Sequence, residues 1–260
     1  FMQQALIIGL VVAIICATLS CYLVLKGWSL MGDAISHAVL PGIVLAYMLS
    51  IPLAIGAFFS GVFCTIAVGY LKTNSRIKED TVMGIVFSGM FAIGLVMFTK
   101  VESNQHLMHI LFGDLLGITA HEFYQSLIIS AFVFFVIVLK RRDFLLYCFD
   151  TMHARTVGLN NTLLHYSLLV LLALVIISAM QVVGVILVVA MLITPGITGY
   201  ILTKRFERMM LISILTSVNS VFWGIFLSFH FDAATGPFIV LIQAVVFLTA
   251  LAVVQLKLRK

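Results

Sequence analysis

The sequence predicts an all-α protein: a polytopic bundle of eight to nine transmembrane helices that forms a single domain over residues 1–260. Hydrophobic residues make up 63% of the chain and charged residues only 10%, whereas soluble domains carry about 25% charged residues. The apolar residues recur in long runs that short polar stretches separate. Since a helix needs about 20 apolar residues to cross a bilayer, these runs account for most of the chain.

The apolar runs place the predicted spans in order along the chain. The first run lacks the basic segment and the cleavage site of a signal peptide, so we expect it to be retained as a span. The segment 101–120 is amphipathic and too long for a turn, which indicates a short surface helix. The predicted spans cover residues 4–25, 30–49, 52–71, 82–99, 121–139, 162–180, 182–203, 209–229 and 236–256.

The run at 182–203 allows two interpretations because it contains Pro195 and Gly196. It forms either one interrupted span or two half-helices, since proline removes a helical hydrogen bond. The first interpretation gives nine crossings, and the second gives eight full crossings with partial helices.

The positive charges predict an orientation. When nine spans alternate, all of the fifteen Lys and Arg residues except Lys100 fall on one side. An excess of Lys and Arg marks the cytoplasmic side of a membrane protein. We therefore expect a multi-pass membrane protein with its amino terminus outside and its carboxyl terminus in the cytoplasm.

The charge and cysteine patterns exclude several other classes. The net charge of +5 does not indicate a nucleic-acid partner, because the basic residues form short clusters between spans and no basic face. The four cysteines lack CxxC or zinc-type spacing, so neither disulfides nor structural zinc is expected.

The most informative polar residues lie in the second predicted span. Asp33 and His37 are four residues apart and share one helix face. A helix that starts near Trp28 brings His37 about 13 Å into the membrane. Carboxylate oxygen and imidazole nitrogen together suit a divalent metal, and ionisable groups inside spans commonly line a pathway. The pair therefore predicts a metal-transit site, with a structural Asp–His hydrogen bond between helices as the alternative.

Two proline–glycine pairs interrupt predicted spans. Pro41 and Gly42 follow the Asp33–His37 pair, and Pro195 and Gly196 lie in the seventh predicted span. Backbone carbonyls that a proline releases can line a transport cavity. We expect these four residues to line the pathway.

Other polar residues give weaker indications. Ser36 points about 100° away from His37 around the helix, so Asp33, Ser36 and His37 do not form a nucleophilic triad. An intramembrane metallohydrolase would also need a third metal ligand and a general base, which the sequence does not offer. Acidic and histidine residues on the predicted outer side suit ordinary loop polarity, and alternatively a rim that concentrates cations. These residues are Glu102, His106, His109, Asp114, His121, Glu122, His230 and Asp232.

The longest predicted cytoplasmic loop contains a short helical segment at residues 148–160. Asp150 or Thr151 can cap its start, and Gly158 can end it in the left-handed conformation. A short helix beneath the bilayer suits docking to a cytosolic partner, and an ordinary interfacial helix is the alternative. The chain has no G-x-x-x-x-G-K-[ST] motif, so an ion gradient or a separate ATPase must supply the energy.

Four segments of the chain resemble the permease subunit of the manganese/zinc/iron family of ABC importers, and the likeness extends over all 260 residues. The segments are Met31–Gly42, Leu111–Leu116, Ile193–Gly196 and Ala234–Pro237. The resemblance implies a type II-like importer permease of a bacterial plasma (inner) membrane. Such a permease is a transport subunit, and its ATP is bound and hydrolysed by separate cytosolic subunits. It also implies a second permease copy, as a homodimer or paralogous heterodimer, and an extracytoplasmic metal-binding protein.

The same resemblance implies roles for individual residues. Asp33 and His37 would contact the metal in transit, and no cofactor would be bound permanently. The 148–160 segment would be the coupling segment that meets the ATPase. Its implied coupling residues are Asp150, His153, Ala154, Arg155 and Gly158.

Alternatives remain open for the identity of the transported metal and for the energy source. Oxygen and imidazole ligands without thiolate suit manganese, ferrous iron and zinc, and the overall resemblance favours manganese or iron over zinc. The competing interpretation is a secondary metal/proton transporter or channel in which Asp33 and His37 form a proton relay.

Overall fold

The computed structural model describes residues 2–28, 30–77, 79–100, 119–231 and 233–258, which form helices joined by short connections. The helices are α1 (Met2–Lys26), α2 (Met31–Ala38), α3 (Leu40–Met48), α4 (Leu53–Asn74), α5 (Glu79–Phe98), α6 (Ala120–Leu139), α7 (Arg141–Phe149), α8 (Thr151–Thr156), α9 (Asn161–Val183), α10 (Val185–Leu202), α11 (Phe206–Phe231) and α12 (Thr235–Leu258).

Nine helical stretches within the described residues are long and apolar enough to cross a membrane. One of them, Met31–Met48, consists of α2 and α3 in succession. The prediction of eight to nine spans is therefore confirmed. The run at 182–203 is one helix, α10, with Pro195 inside it, and not two half-helices. The predicted surface helix at 101–120 falls almost wholly outside the described residues.

The centre of the bundle is formed by α1 and α9, whereas α5, α6 and α12 expose most of their surface. Helix α1 packs on α10 and α11, and α10 also packs on α12. Lipid tails are as apolar as the side chains, so hydrophobicity alone does not drive these helices together in a bilayer. Close packing of small residues and hydrogen bonds between helices remain to hold them together.

Helices α3 and α4 meet through such a close approach. A β-carbon at Gly42 would overlap the backbone of Gly56, and a β-carbon at Gly56 would overlap the carbonyl of Gly42. One turn away, Ser60 Oγ donates a 2.6 Å hydrogen bond to the carbonyl of Ala38. The two helices are therefore joined where the second span is interrupted.

Helix α10 is hydrogen-bonded to α1 in the turn that contains its proline–glycine pair. The Gly196 N–H donates a 2.9 Å hydrogen bond to Ser20 Oγ. Ser20 Oγ in turn donates a 3.3 Å hydrogen bond to the Ile193 carbonyl. A β-carbon at Gly196 would overlap Ser20. Ser20 of α1 thus forms hydrogen bonds with the backbone of α10 in the turn that contains Pro195, which has no N–H to donate.

One end of the bundle, which we call the basic end, carries Lys26, Lys140 and Lys257 at the ends of α1, α6 and α12. Here Arg141 of α7 forms an ion pair with Glu207 of α11, with Nη2 and Oε1 3.0 Å apart. Helices α7 and α8 therefore lie at the basic end, between the spans α6 and α9.

We expect Gly56→Ala to lower the free energy of unfolding by about 1–3 kcal/mol, as overpacking of a close contact does. The new methyl group would overlap the Gly42 carbonyl. Gly84→Ala in α5 is the matched control, because a β-carbon there meets nothing within 4 Å. Thermal unfolding of the purified protein in detergent measures both, and equal melting temperatures would contradict the packing argument.

Candidate functional site

Helix α2 presents two polar side chains from an otherwise buried helix. Six of its eight residues are buried, and the remaining two are Asp33 and His37. Their side chains are 39% and 33% exposed. The predicted shared face is therefore present, and it is the face of α2 that the described residues leave open.

The two side chains contact each other. His37 Nε2 lies 3.3 Å from Asp33 Oδ1. Two rings of α5 pack on the imidazole: Phe87 is stacked with centroids 6.1 Å apart, and Phe91 is edge-on at 5.1 Å. The phenylalanines restrict the imidazole ring while its Nε2 remains directed at the carboxylate.

This pair can supply two ligands to a divalent ion. Within the described residues, no three His, Cys, Asp or Glu side chains are grouped as a metal site. His37 can serve as a metal ligand only through an unprotonated ring nitrogen, because imidazole binds metal in its neutral form. Two protein ligands leave the other coordination positions to water or to groups from elsewhere, which suits an ion that must be released.

Cysteine thiolates do not contribute to this site. Cys16, Cys21, Cys64 and Cys148 are all free and buried. At the basic end, burial raises the pKa of the Cys148 thiol to about 12, against a smaller opposing effect of Lys26. This thiol therefore stays protonated and is a poor ligand at neutral pH.

Ser36 takes the structural role that the helix geometry predicts. It is buried, and its Oγ donates a 2.8 Å hydrogen bond to the Asp33 carbonyl one turn earlier. A hydroxyl that bonds its own helix is not aligned with His37 as a nucleophile.

The interruption of the second span lies directly after His37. Helix α2 ends at Ala38 and α3 begins at Leu40, because Pro41 has no N–H to donate to the His37 carbonyl. Pro41 and Gly42 line a 470 Å³ cavity among α3, α4 and α5, whose other lining residues are apolar except Ser60. Asp33 and His37 do not line this cavity.

The second proline–glycine pair lies elsewhere. Pro195 and Gly196 are buried, and Gly196 contacts Ser20 of α1. The expectation that Pro41, Gly42, Pro195 and Gly196 line a metal pathway stays a prediction.

The 148–160 segment contains the short helix that its sequence predicts. Asp150 Oδ1 caps α8 by accepting hydrogen bonds from the N–H groups of Met152 and His153 at 2.9 and 3.0 Å. Gly158 follows the helix with a φ of +89°, as the left-handed cap requires. Its N–H and that of Leu159 donate to the carbonyls of Arg155 and Ala154, the two bonds that define a Schellman motif.

One side of α8 faces the bundle and the other is open. Ala154 is fully buried, whereas His153 and Arg155 are exposed. The large apolar side chains of Met152 and Val157 are 74% and 61% exposed. An apolar, basic surface of this kind on a rigidly capped helix suits contact with another protein.

The predicted outer rim is described only in part. Glu122 caps α6 together with Thr119: the Thr119 N–H donates to Glu122 Oε2, and the Glu122 N–H donates to Thr119 Oγ1. This carboxylate thus has a structural role, and His230 is exposed at the end of α11. Glu102, His106, His109, Asp114, Asp232 and the side chain of His121 lie outside the described residues.

Sequence reasoning did not select Phe87 and Phe91. Both lie in an apolar span where phenylalanine is ordinary, so no local signal marks them as neighbours of His37. A spacing of four residues on the helix facing α2 is the one clue that the sequence offers.

Comparison with known proteins supports the sequence resemblance. A family model described as the ABC 3 transport family matches residues 1–254. A Haemophilus influenzae protein named "Probable iron transport system membrane protein" is 66% identical over 259 residues, covering 100% of this chain and 96% of the relative. The "Manganese transport system membrane protein MntB" of a Synechocystis species is 52% identical over 251 residues, covering 96% and 82%.

A solved structure shares the fold. The structure titled "PsaBC from Streptococcus pneumoniae in complex with Fab" superimposes with a TM-score of 0.85 at 39% identity, covering 95% of this chain and 90% of that one. Because the family model and these relatives span nearly the whole sequence, the chain belongs to the ABC 3 transport family.

Proposed function

We propose that this chain is the permease subunit of an ATP-driven importer of divalent transition-metal ions. The observation that carries the proposal is the Asp33–His37 pair, which α2 leaves open within a membrane-spanning stretch. Burial of ionisable groups in a span is costly and is usually retained for a pathway. Two hard or borderline ligands suit an ion that passes and does not stay.

Manganese or iron is the proposed cargo, with zinc less favoured. The relatives are named for iron and for manganese transport. The ligand types alone do not separate these metals, since carboxylate and imidazole bind all three. We infer that selectivity lies mainly in an extracytoplasmic metal-binding protein that delivers the ion.

The proposed energy source is ATP bound by separate cytosolic subunits. The sequence holds no phosphate-binding loop of its own. The proposed contact with the ATPase is the 148–160 segment, whose capped helix exposes Met152, His153, Arg155 and Val157. A second permease copy would complete the channel.

We expect Asp33→Asn and His37→Ala to lower metal uptake by more than the about 10- to 100-fold that loss of an outer-shell partner costs a metal site. Each change removes one of two protein ligands and leaves the buried part of α2 intact. Ser36→Ala is the matched control, since Ser36 faces away from the pair and should keep uptake near wild type. Uptake of radioactive manganese into vesicles that contain the assembled transporter and ATP measures all three.

Metal uptake at the wild-type rate in Asp33→Asn or His37→Ala would contradict the proposal that these residues bind the metal in transit. Loss of transporter assembly in these variants would instead favour a structural Asp–His contact. Uptake should stop without ATP and persist with an uncoupler. The reverse dependence would favour the ion-gradient transporter.

We expect Gly158→Val to impair transport, because a β-branched residue in the left-handed region costs roughly 1–2 kcal/mol. Gly158→Asn is the graded control, since asparagine tolerates this conformation. The measurement is uptake and ATPase activity of the purified complex. Unchanged values for both activities in Gly158→Val would show that the Schellman end of α8 has no part in coupling.

The proposed orientation places the basic end in the cytoplasm, with the amino terminus outside. In Arg155→Cys, the new thiol should react with a membrane-impermeant maleimide in inside-out vesicles and stay unlabelled in intact cells. The four native cysteines are buried, so their background should be low. Labelling from outside intact cells would reverse the topology.

A further inference from the structure

We propose that the side chains of Trp28, Tyr147 and His165, which we call the ring cluster, transmit movement of the 148–160 segment to α2 and so to the Asp33–His37 pair. This inference rests on the proposed function, because it assigns a route between the ATPase contact and the metal site. Trp28, Tyr147 and His165 are positioning residues in this account, since none of them touches the metal.

The first contact joins the two helices that flank the 148–160 segment. Tyr147 lies in α7, just before the segment, and His165 lies in the first turns of α9, just after it. The Tyr147 hydroxyl and His165 Nδ1 are hydrogen-bonded at 2.9 Å. This hydrogen bond joins α7 to α9, the helices on either side of α8. A shift of α8 would therefore displace both of these helices.

A second hydrogen bond joins α8 directly to α9. Asn161 Nδ2, in the first turn of α9, donates to the Thr151 carbonyl at 2.7 Å. The following residues of α9 reach His165 within about one turn. Movement of α8 is therefore delivered to the part of α9 that carries the imidazole.

The next contact leads from His165 to the base of α2. The His165 ring packs edge-on against Trp28 with centroids 5.1 Å apart. Trp28 is only 2% exposed, and its carbonyl accepts the N–H of Met31, the first residue of α2, at 3.0 Å. Asp33 and His37 follow within the next two turns of this short helix. A displaced Trp28 would therefore tilt or shift the helix that bears both ligands.

Lys26, at the end of α1, contacts two members of the ring cluster. Its Nζ lies 4.0 Å from the centroid of the Tyr147 ring and 3.5 Å from the Tyr147 carbonyl. The same ammonium lies 6.0 Å from the Trp28 ring centroid. Cation–π contacts of this kind hold Tyr147 and Trp28 to the central helix of the bundle.

The arrangement has the features of a rigid link. Tyr147 is only 4% exposed, and packed aromatic rings resist compression. Trp28 Nε1 finds no acceptor among the described residues, so ring packing fixes the indole. Contiguous packed side chains and hydrogen bonds can carry coupling between sites, and a direct test of coupling is what distinguishes such a route from mere proximity.

The test compares metal uptake per ATP hydrolysed in the complete transporter, reconstituted in vesicles with radioactive manganese. Tyr147→Phe removes the hydroxyl and keeps the ring, and His165→Phe keeps a ring against Trp28 and removes Nδ1. Each should lower the uptake-to-hydrolysis ratio about fivefold, the effect of losing one buried hydrogen bond. Tyr166→Phe is the matched control, because the Tyr166 hydroxyl makes no hydrogen bond to the described residues, and its ratio should equal that of wild type.

The double variant Tyr147→Phe/His165→Phe separates a shared bond from two independent effects. If the two residues act through one bond, the ratio of the double variant should fall about fivefold and not by the roughly 25-fold product. Unchanged ratios in both single variants, or ratios that fall only in step with loss of assembled complex, would overturn the proposed link while leaving the proposed function in place. A wild-type complex that hydrolyses ATP without taking up metal would overturn both.

Discussion

In a bilayer, backbone groups that a helix interruption releases must find partners inside the protein, because no water is available to bind them. This constraint bears on both spans that contain a proline–glycine pair. Ser60 of α4 donates to the Ala38 carbonyl in the turn where Pro41 ends α2, and Ser20 of α1 accepts the Gly196 N–H beside Pro195. Both proline-containing turns are therefore hydrogen-bonded to a neighbouring helix.

The described residues leave the Asp33–His37 face of α2 partly exposed. Close contact between Gly42 and Gly56 holds α3 on α4, and Phe87 and Phe91 of α5 enclose the imidazole of His37. The carboxylate Oδ1 of Asp33 lies 3.3 Å from His37 Nε2. The proposed divalent ion would be bound by two side chains that are already close together, so that its capture and release need little rearrangement of the helix itself.

Much of this could be predicted from local sequence. Apolar runs marked the nine candidate spans, the four-residue spacing marked the Asp33–His37 face, and Gly158 marked the end of α8, because each signal lies within a few residues. Helix α7, the Ser20–Gly196 bond and the Tyr147–His165 bond were not predicted. The two bonds join residues that are distant along the chain or separated by the 148–160 segment, and serine, tyrosine and histidine carry no mark of their partner. Which charged residues are structural also depended on geometry, as the role of Glu122 in capping α6 shows.

The central claim is that Asp33 and His37 ligate the ion directly. Electron paramagnetic resonance of Mn²⁺ trapped in the assembled transporter tests it, because an imidazole ligand couples its nitrogen nucleus to the metal spin. The account predicts a directly bound imidazole nitrogen in the wild type, and its disappearance in His37→Ala. Bound Mn²⁺ without nitrogen coupling in the wild type, or with coupling that persists in the variant, would contradict it.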